Sequence, residues 1–440
     1  MLYAIGISVL ALGLIAVAPQ AIAQNDSTAD LRAEQRQLFD RLYEEPSNLD
    51  LMFDYAVVSI RLQDYEPAIS TLERMLIYRR DLSQVRLELA TAYFNLGSYE
   101  VAKNYFNQVL DDPELSGEAR ERVALYLNEI EGRTKRSSLS LITNVGITYA
   151  TNANLGPLSN EVTVGGVPGF VLDADSQSQS DFGVRMLVYG THTYDLRQPN
   201  TNAWLTDFSV FGLRYFDVTA GNTLFARVRT GPQLALDAKQ YGPKLRPYFE
   251  GKYLNADDQM VLWNGTGGAE YTRALNDKWA AFADANVGYY DFVEDRDGED
   301  SLTLRLLAGG AYLPSRDLTG RISTFVERDF ADADFNSNVE VGISVSAGYS
   351  YDSGLDAVDR KWVVSAYADV RYRWYDEADP FIDPDETRRD LDLGVGFSHL
   401  FAIRDGLGIK LDVEAFRRES NISNFDLENV SVTLSVQKRL

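Results

Sequence analysis

The chain of 440 residues has no cysteine and only two histidines, His192 and His399. Without cysteine there is no disulfide, no thiolate metal site, no Cys nucleophile and no N-terminal lipidated Cys. Two histidines make a His-based zinc site or catalytic cluster an unexpected find. Neither a G-x-x-x-x-G-K-[ST] phosphate loop nor a G-x-S-x-G nucleophile turn occurs. "DRDGED" (Asp295 to Asp300) has the composition of a calcium loop but lacks the spaced ligands and closing Glu. These absences predict a protein that is no enzyme and carries no cofactor or metal. Basic charge is also scarce: 42 Lys and Arg stand against 65 Asp and Glu, a formal net charge of −23. That balance excludes nucleic acid as an expected partner.

Long apolar runs are missing too, with one exception at the start, so no helical membrane span is expected further on. In "MLYAIGISVLALGLIAVAPQAIAQ" the run Leu2 to Val17 is followed by Pro19 and by Ala21-Ile22-Ala23, a small-x-small pattern. Residues 1–23 read as a secretory signal removed after Ala23. The rival reading is an uncleaved anchor, but the run is somewhat short for a hydrocarbon layer of roughly 30 Å. No Lys or Arg precedes the run.

What is present falls into two regimes. From Leu31 to Gly132 apolar residues recur at three and four, and two segments align at a shift of 34: "MFDYAVVSIRLQDYEPAISTLERML" and "RLELATAYFNLGSYEVAKNYFNQVL". Ala56 matches Ala90, Tyr65 matches Tyr99, Ala68 matches Ala102, Leu72 matches Phe106 and Leu76 matches Leu110. Small residues where helices cross, at that period, are the tetratricopeptide signature. "LRAEQRQLFDRLYEEPSN" reads as the second helix of a degenerate earlier repeat ended by Pro46, and "SGEARERVALYLNEIEGR" as a capping helix. An all-α tetratricopeptide repeat domain with its linker is thus expected over residues 24–137. Similarity to such domains implies a concave partner groove lined by Phe53, Val57 and Arg61, then Thr91, Phe94 and Asn95. The plainer reading of each of these is packing or solvation.

After "TKRSS" the period changes to two, the mark of strands with one apolar and one polar side. In "ENVSVTLSVQKRL" Val430, Val432, Leu434 and Val436 oppose Ser431, Thr433, Ser435 and Gln437. Fourteen strands are predicted, starting near Leu139, Phe182, Trp204, Leu224, Leu245, Met260, Trp279, Leu302, Gly320, Val339, Trp362, Leu391, Leu407 and Val430. A soluble sandwich alternates in the same way. Strand length, aromatics near strand ends (Trp204, Tyr215, Trp279, Tyr289, Trp362, Trp374) and long connections alternating with short ones favour an outer-membrane barrel over residues 138–440. The long ones are the span from about Thr151 to Ser180, "EDRDGED", "ADADFNSN" and "DEADPFIDPDETRR"; the short ones are "LRQPN", "LNDK", "SRDL" and "IRDG". An all-β, 14-stranded antiparallel transmembrane β-barrel would tie the last strand to the first, leaving no edge. The N-terminal domain would then be periplasmic.

The polar faces carry both signs. Arg185, Arg227, Arg229, Arg305, Arg371, Arg373 and Lys410 are expected in the lumen with Asp284, Asp369, Asp392, Asp412 and Glu414, either in ion pairs across a narrow lumen or along a hydrated track. His399 falls on the predicted polar side and reads as a lumen hydrogen-bonder. The acidic loop Asp376 to Glu386 reads as a solvated loop rather than a site for divalent cations shared with lipopolysaccharide phosphates.

Signal, short tetratricopeptide domain, basic linker and barrel together resemble the surface lipoprotein assembly modulators (Slam). "SLSLITNVGITYATNANLG" looks like that family's opening strand, with Asn152 and Asn154 in its Asn-x-Asn turn. The family has more repeats, and its barrels usually end in an aromatic where this chain has Leu440. The resemblance implies delivery of lipoproteins from periplasm to cell surface by a monomer embedded among outer-membrane lipids and lipopolysaccharide, with a lipoprotein client and a periplasmic chaperone as partners. A lipidated client suggests sideways opening of a seam marked by Val145, Ile147, Val432 and Leu434. The alternatives are an exopolysaccharide export porin and a passive diffusion porin.

Overall fold

The computed structural model describes residues 26–113, 115–196, 202–237, 242–355, 361–404 and 406–440. The expected signal, residues 1–23, lies outside them. The described chain divides into two compact units, with the boundary between Lys135 and Arg136.

The first unit has six helices: α1 (Asp26–Glu44), α2 (Leu49–Arg61), α3 (Tyr65–Tyr78), α4 (Ser83–Asn95), α5 (Tyr99–Leu110) and α6 (Gly117–Thr134). α4 and α5 begin 34 residues after α2 and α3 (Leu49 to Ser83, Tyr65 to Tyr99). Ala56, Ala68, Ala90 and Ala102 are wholly buried, as are Leu72 and Phe106. A bare methyl at each crossing lets the helix pairs close, and the larger side chains fill what is left. Asn48 starts α2 by accepting hydrogen bonds from the N–H groups of Asp50 and Leu51 at 3.1 and 3.3 Å, the usual remedy for unsatisfied first-turn donors. Both repeats turn between their helices through a left-handed residue, Gln63 (φ 62) and, 34 positions on, Gly97 (φ 85).

The second unit has sixteen strands: β1 (Ser137–Ala150), β2 (Glu161–Val164), β3 (Val167–Val171), β4 (Asp181–Asp195), β5 (Ala203–Tyr215), β6 (Thr223–Ala235), β7 (Lys244–Ala256), β8 (Gln259–Ala274), β9 (Trp279–Phe292), β10 (Ser301–Tyr312), β11 (Leu318–Ala331), β12 (Asn338–Asp352), β13 (Lys361–Tyr375), β14 (Arg389–Arg404), β15 (Leu407–Ser420) and β16 (Leu427–Arg439). Fourteen close a barrel in which each strand pairs with its neighbours and β16 pairs antiparallel with β1. All fourteen begin within a few residues of the predicted starts. Within the long connection from Thr151 to Ser180, β2 and β3 form a separate hairpin turned by Gly165 and Gly166, both left-handed; Pro168 in β3 is compatible with an edge position.

The connections alternate less cleanly than expected. The end that holds residues 151–180 also holds Asp257 and Asp258, a two-residue turn with φ of 51° and 58° between β7 and β8. Four connections at this long-loop end share one closure. A 3-10 turn is followed by a side chain that accepts from the last N–H of the preceding strand: Asn222 from Tyr215, Asp300 from Phe292, Ser337 from Ala331 and Asp426 from Ser420, at 2.6–2.9 Å. Each strand's final donor is thereby satisfied without a ladder partner, so these loops are built rather than slack.

Candidate translocation pathway

Alternation puts the aliphatic rows on the outside. Ile147 and Leu434 are 58% and 57% exposed while Thr148 and Thr433 between them are buried. Aromatic belts flank this band. Trp279 and Tyr312 meet at 4.5 Å at the short-turn end, near Tyr349 stacked on Tyr351. At the long-loop end Tyr149 meets Phe182 at 4.8 Å and Tyr372 meets Trp374 at 4.9 Å. A closed barrel, greasy outside between two aromatic girdles and polar within, is built for an outer membrane.

His399 is a correction. It lies in the outward row of β14 with Phe397 and Phe401, not in the lumen. Its ring sits 3.9 Å from Phe401 and 5.8 Å from Trp362, and its Nε2 is 2.7 Å from the Tyr351 hydroxyl. The short-turn girdle tolerates a polar ring because its partners are amphipathic aromatics.

The sequence-predicted lumen charges do face inward, and they pair with opposed neighbours, along one strand, or over two intervening strands. Arg229 opposes Glu250 and Arg305 opposes Glu327, each at 2.7 Å. Arg227 joins Glu250 at 2.7 Å, and Asp284 lies 3.7 Å from Arg229. On β12 to β15 Arg373 pairs with Glu340, Arg418 with Asp392 at 2.6 Å, and Arg371 with Asp369 at 3.4 Å and Asp392 at 3.8 Å. Lys410 holds Asp412 at 2.7 Å. Sequence reasoning missed Glu250, Glu340, Asp390 and Arg418; Glu340 and Arg418 find their partners on other strands, while Asp390 is also held by Arg388 at 2.7 Å and Glu250 by Lys252 at 3.3 Å. Arg373, Asp390, Asp392 and Arg418 are 1–3% exposed, a burial that only mutual neutralisation permits.

On β12 to β15 the most buried pairs lie toward the long loops, and toward the short turns the inward positions become Ser344, Ser346, Ser365 and Ser398, exposed or half-buried. On β5 and β7 the ion pairs continue toward the short turns, where buried Arg246 holds Asp207 at 2.6 Å. Inward aromatic rings lie flat on neighbouring glycines: a Cβ on Gly268, Gly309 or Gly342 would run into the rings of Tyr248, Phe282 and Phe325. Their other faces carry the guanidinium groups of Arg229, Arg321 and Arg305 at 3.8–4.0 Å. Each ring thus has a backbone packed closely against it and a guanidinium over one face.

The closing pair β1–β16 is the shortest of the fourteen. It pairs nine residues, from Ile142 with Arg439 to Ala150 with Ser431, while β1 pairs fourteen with β4. Val145 and Ile147 face Val436 and Leu434 on the lipid side, with Val432 opposite Tyr149. On the lumen side Arg185 of β4 reaches over Gly146 to Thr433 Oγ1 and Glu414 of β15, both at 3.3 Å, and the Thr433 hydroxyl donates to Thr148 at 2.8 Å. A Cβ on Gly146 would stand 2.3 Å from the Leu434 carbonyl oxygen, so only glycine fits there.

In the helical unit Val57 and Thr91, and Arg61 and Asn95, are repeat-equivalent; Arg61 and Asn95 are exposed and Val57 and Thr91 half-buried. Phe53 packs against the first core. Phe94 departs from the expected groove. It is buried edge-on to Tyr99 and Tyr126, at 5.6 and 5.0 Å, because it repeats Ile60, an interior position. Glu88 lies near Arg61 and Arg122; burial raises its carboxyl above the ordinary range against their pull. In the acidic loop the Asp376 carboxylate is held below its ordinary range by its hydrogen bond to Arg328. Asp379 and Asp383 accept from the loop's own Phe381 and Asp385 N–H groups, and no cluster able to hold a metal ion occurs among the described residues.

No protein-family model matches the chain, and no curated protein does. Among solved structures it is similar to the outer membrane channel DcaP of Acinetobacter baumannii, at 9% identity over 69% of this chain and 97% of that one, TM-score 0.37. It is also similar to a bacterial polysaccharide outer membrane secretin, at 10% identity over 68% and 98%, TM-score 0.33. Part of the chain is similar to the first TPR of Spaghetti (RPAP3) bound to an HSP90 peptide, at 19% identity over 26% and 98%, TM-score 0.19. Likeness at these scores carries no argument about function.

Proposed function

We propose that this chain is an outer-membrane translocator that delivers surface lipoproteins or other protein clients from periplasm to cell surface, its helical repeats recruiting the client or a chaperone. The observation that carries the reading is the contrast between the lumen and the seam. The bore is lined by buried, mutually neutralised charges, whereas β1 and β16 share fewer pairs than any other neighbours. A lipidated client has an acyl chain that a charged lumen excludes, and a parted seam offers it hydrocarbon instead. The exposed Arg61 and Asn95, with Val57 and Thr91 beside them, are the proposed recruiting face. The sequence has no nucleotide-binding loop, so direction must come from chaperone hand-off or from the client folding outside.

The competing readings draw less support. A sugar track uses free aromatic faces, and Tyr248, Phe282 and Phe325 each have a backbone packed closely against the ring and a guanidinium over one face. A diffusion porin needs no helical domain. The test exploits the absence of cysteine. Thr148 and Thr433 meet across the seam at 2.8 Å as neighbours on one face, close enough for a disulfide. With Thr148→Cys and Thr433→Cys, oxidation should abolish surface lipoproteins, scored by protease shaving, and a reductant should restore them. Undiminished delivery through the locked seam would refute the reading. A loss of secreted polysaccharide in a gene deletion, with surface lipoproteins intact, would favour the sugar porin.

A further inference from the structure

The two ends of the β1–β16 seam are fastened very differently. At the long-loop end the connection after β1 does not head straight for β4. It first crosses in the other direction, over β16. Asn152, 1% exposed, donates from Nδ2 to the Glu428 carbonyl at 3.0 Å, and its own N–H donates to Asn429 Oδ1 at 3.0 Å. The Leu158 N–H then donates to the Asp426 carbonyl at 2.8 Å. Asn424 binds the backbone of Thr163 through both N–H and carbonyl, at 2.7 and 2.8 Å, taking the place of a strand along the edge of β2. Gly165 and Gly166 donate to the Phe381 and Ile382 carbonyls, both at 2.9 Å. The segment returns through Asn154, which binds Asp175, Gln177 and Gln179 backbone groups. Residues 152–166 thus form a strap from β1 across the β15–β16 and β13–β14 connections.

At the short-turn end no such strap occurs among the described residues. Leu141 and Leu440 exchange two backbone hydrogen bonds, at 2.8 and 3.2 Å, and the Arg439 N–H donates to the Gly406 carbonyl. Ser137 to Ser140 pair with β4 and make no pairing with β16 among the described residues. Midway stands the Arg185 clasp over Gly146.

We infer that the seam is a one-ended hinge: the strap pins its long-loop end, and β1 and β16 part from the short-turn end. Backbone pairing is lost where fewest bonds must break together, and the strap adds at least six hydrogen bonds to one end alone. Asn152 and Asn424 are the fastening residues.

Hydrogen–deuterium exchange of the full chain in lipid nanodiscs tests this without any client, so its outcome is separate from that of the export assay. In β1 the N–H groups of Leu141, Thr143, Tyr149 and Thr151 point at β16. Those of Leu141 and Thr143 should exchange at least about tenfold faster than those of Tyr149 and Thr151, a ratio equal to about one or two hydrogen bonds. Asn424→Ala, which removes the two bonds to Thr163 and lies outside the barrel strands, should speed the long-loop amides of β1 about tenfold and leave the β9–β10 pairing unchanged. Asn152→Ala should do so more strongly. Equal protection along the wild-type seam, or long-loop amides indifferent to Asn424→Ala in a barrel that still runs as the folded form on an unheated gel, would overturn the inference.

Discussion

The helical unit and the barrel solve one problem with opposite answers. In the first, Leu72, Leu89 and Phe106 have no exposure at all and the charges face outward. In the second, Leu434 stands 57% exposed while Asp390 and Arg418 are 1% and 3% exposed. The hydrophobic effect has not changed sign. The barrel's surroundings have: hydrocarbon takes the place of water on the outside, so the greasy row turns outward and the charged row must satisfy itself within. An inverted molecule therefore depends on its ion pairs as the helical unit depends on its leucines.

The sharpest way to break this symmetry is to remove one buried charge. Arg373→Ala strips buried Glu340 of the cation it pairs with, while Asp390 keeps Arg388 at 2.7 Å, and should lower barrel stability by about 3–5 kcal/mol. The loss is read as a lower urea midpoint for the folded, heat-modifiable band. Next in size, Leu434→Arg puts a charge in the lipid band and should lower stability by about 2–4 kcal/mol by the same assay; an equally exposed leucine on a soluble protein would give almost nothing. The smallest effect belongs to the other half. Gln63 holds a left-handed turn that its repeat partner gives to Gly97. Gln63→Gly should stabilise the helical unit by about 1 kcal/mol, seen as a higher midpoint in helical circular dichroism with the barrel band unmoved.

The sequence had most of the architecture in it because periodicity is local. A shift of 34 with alanines in register needs only two repeats to be visible, and alternation within a dozen residues identifies a strand by itself. Partnership is not local. Arg185 and Glu414 are 229 positions apart, and nothing near either one names the other. Glu340 alternates with Val339 and Val341 as cleanly as the named charges do, yet its partner Arg373 lies 33 positions on. His399 was misplaced because a polar residue was taken to share the polar row, whereas the register of Phe397, His399 and Phe401 puts it among girdle aromatics. Phe94 looked like a groove residue until α6 was packed against it.

By itself, then, the order of amino acids determined the two regimes, the helix repeat, the number of barrel strands and which row of each is greasy. These follow from side-chain spacing on a helix or a pleat, which any short segment reveals. Only the tertiary structure decided that β1 meets β16 over nine pairs, that a glycine there lets an arginine cross the seam, and that Asn152 binds a strap to the far side. Those contacts join segments nearly three hundred residues apart, and closure of the barrel is what brings them within hydrogen-bonding distance.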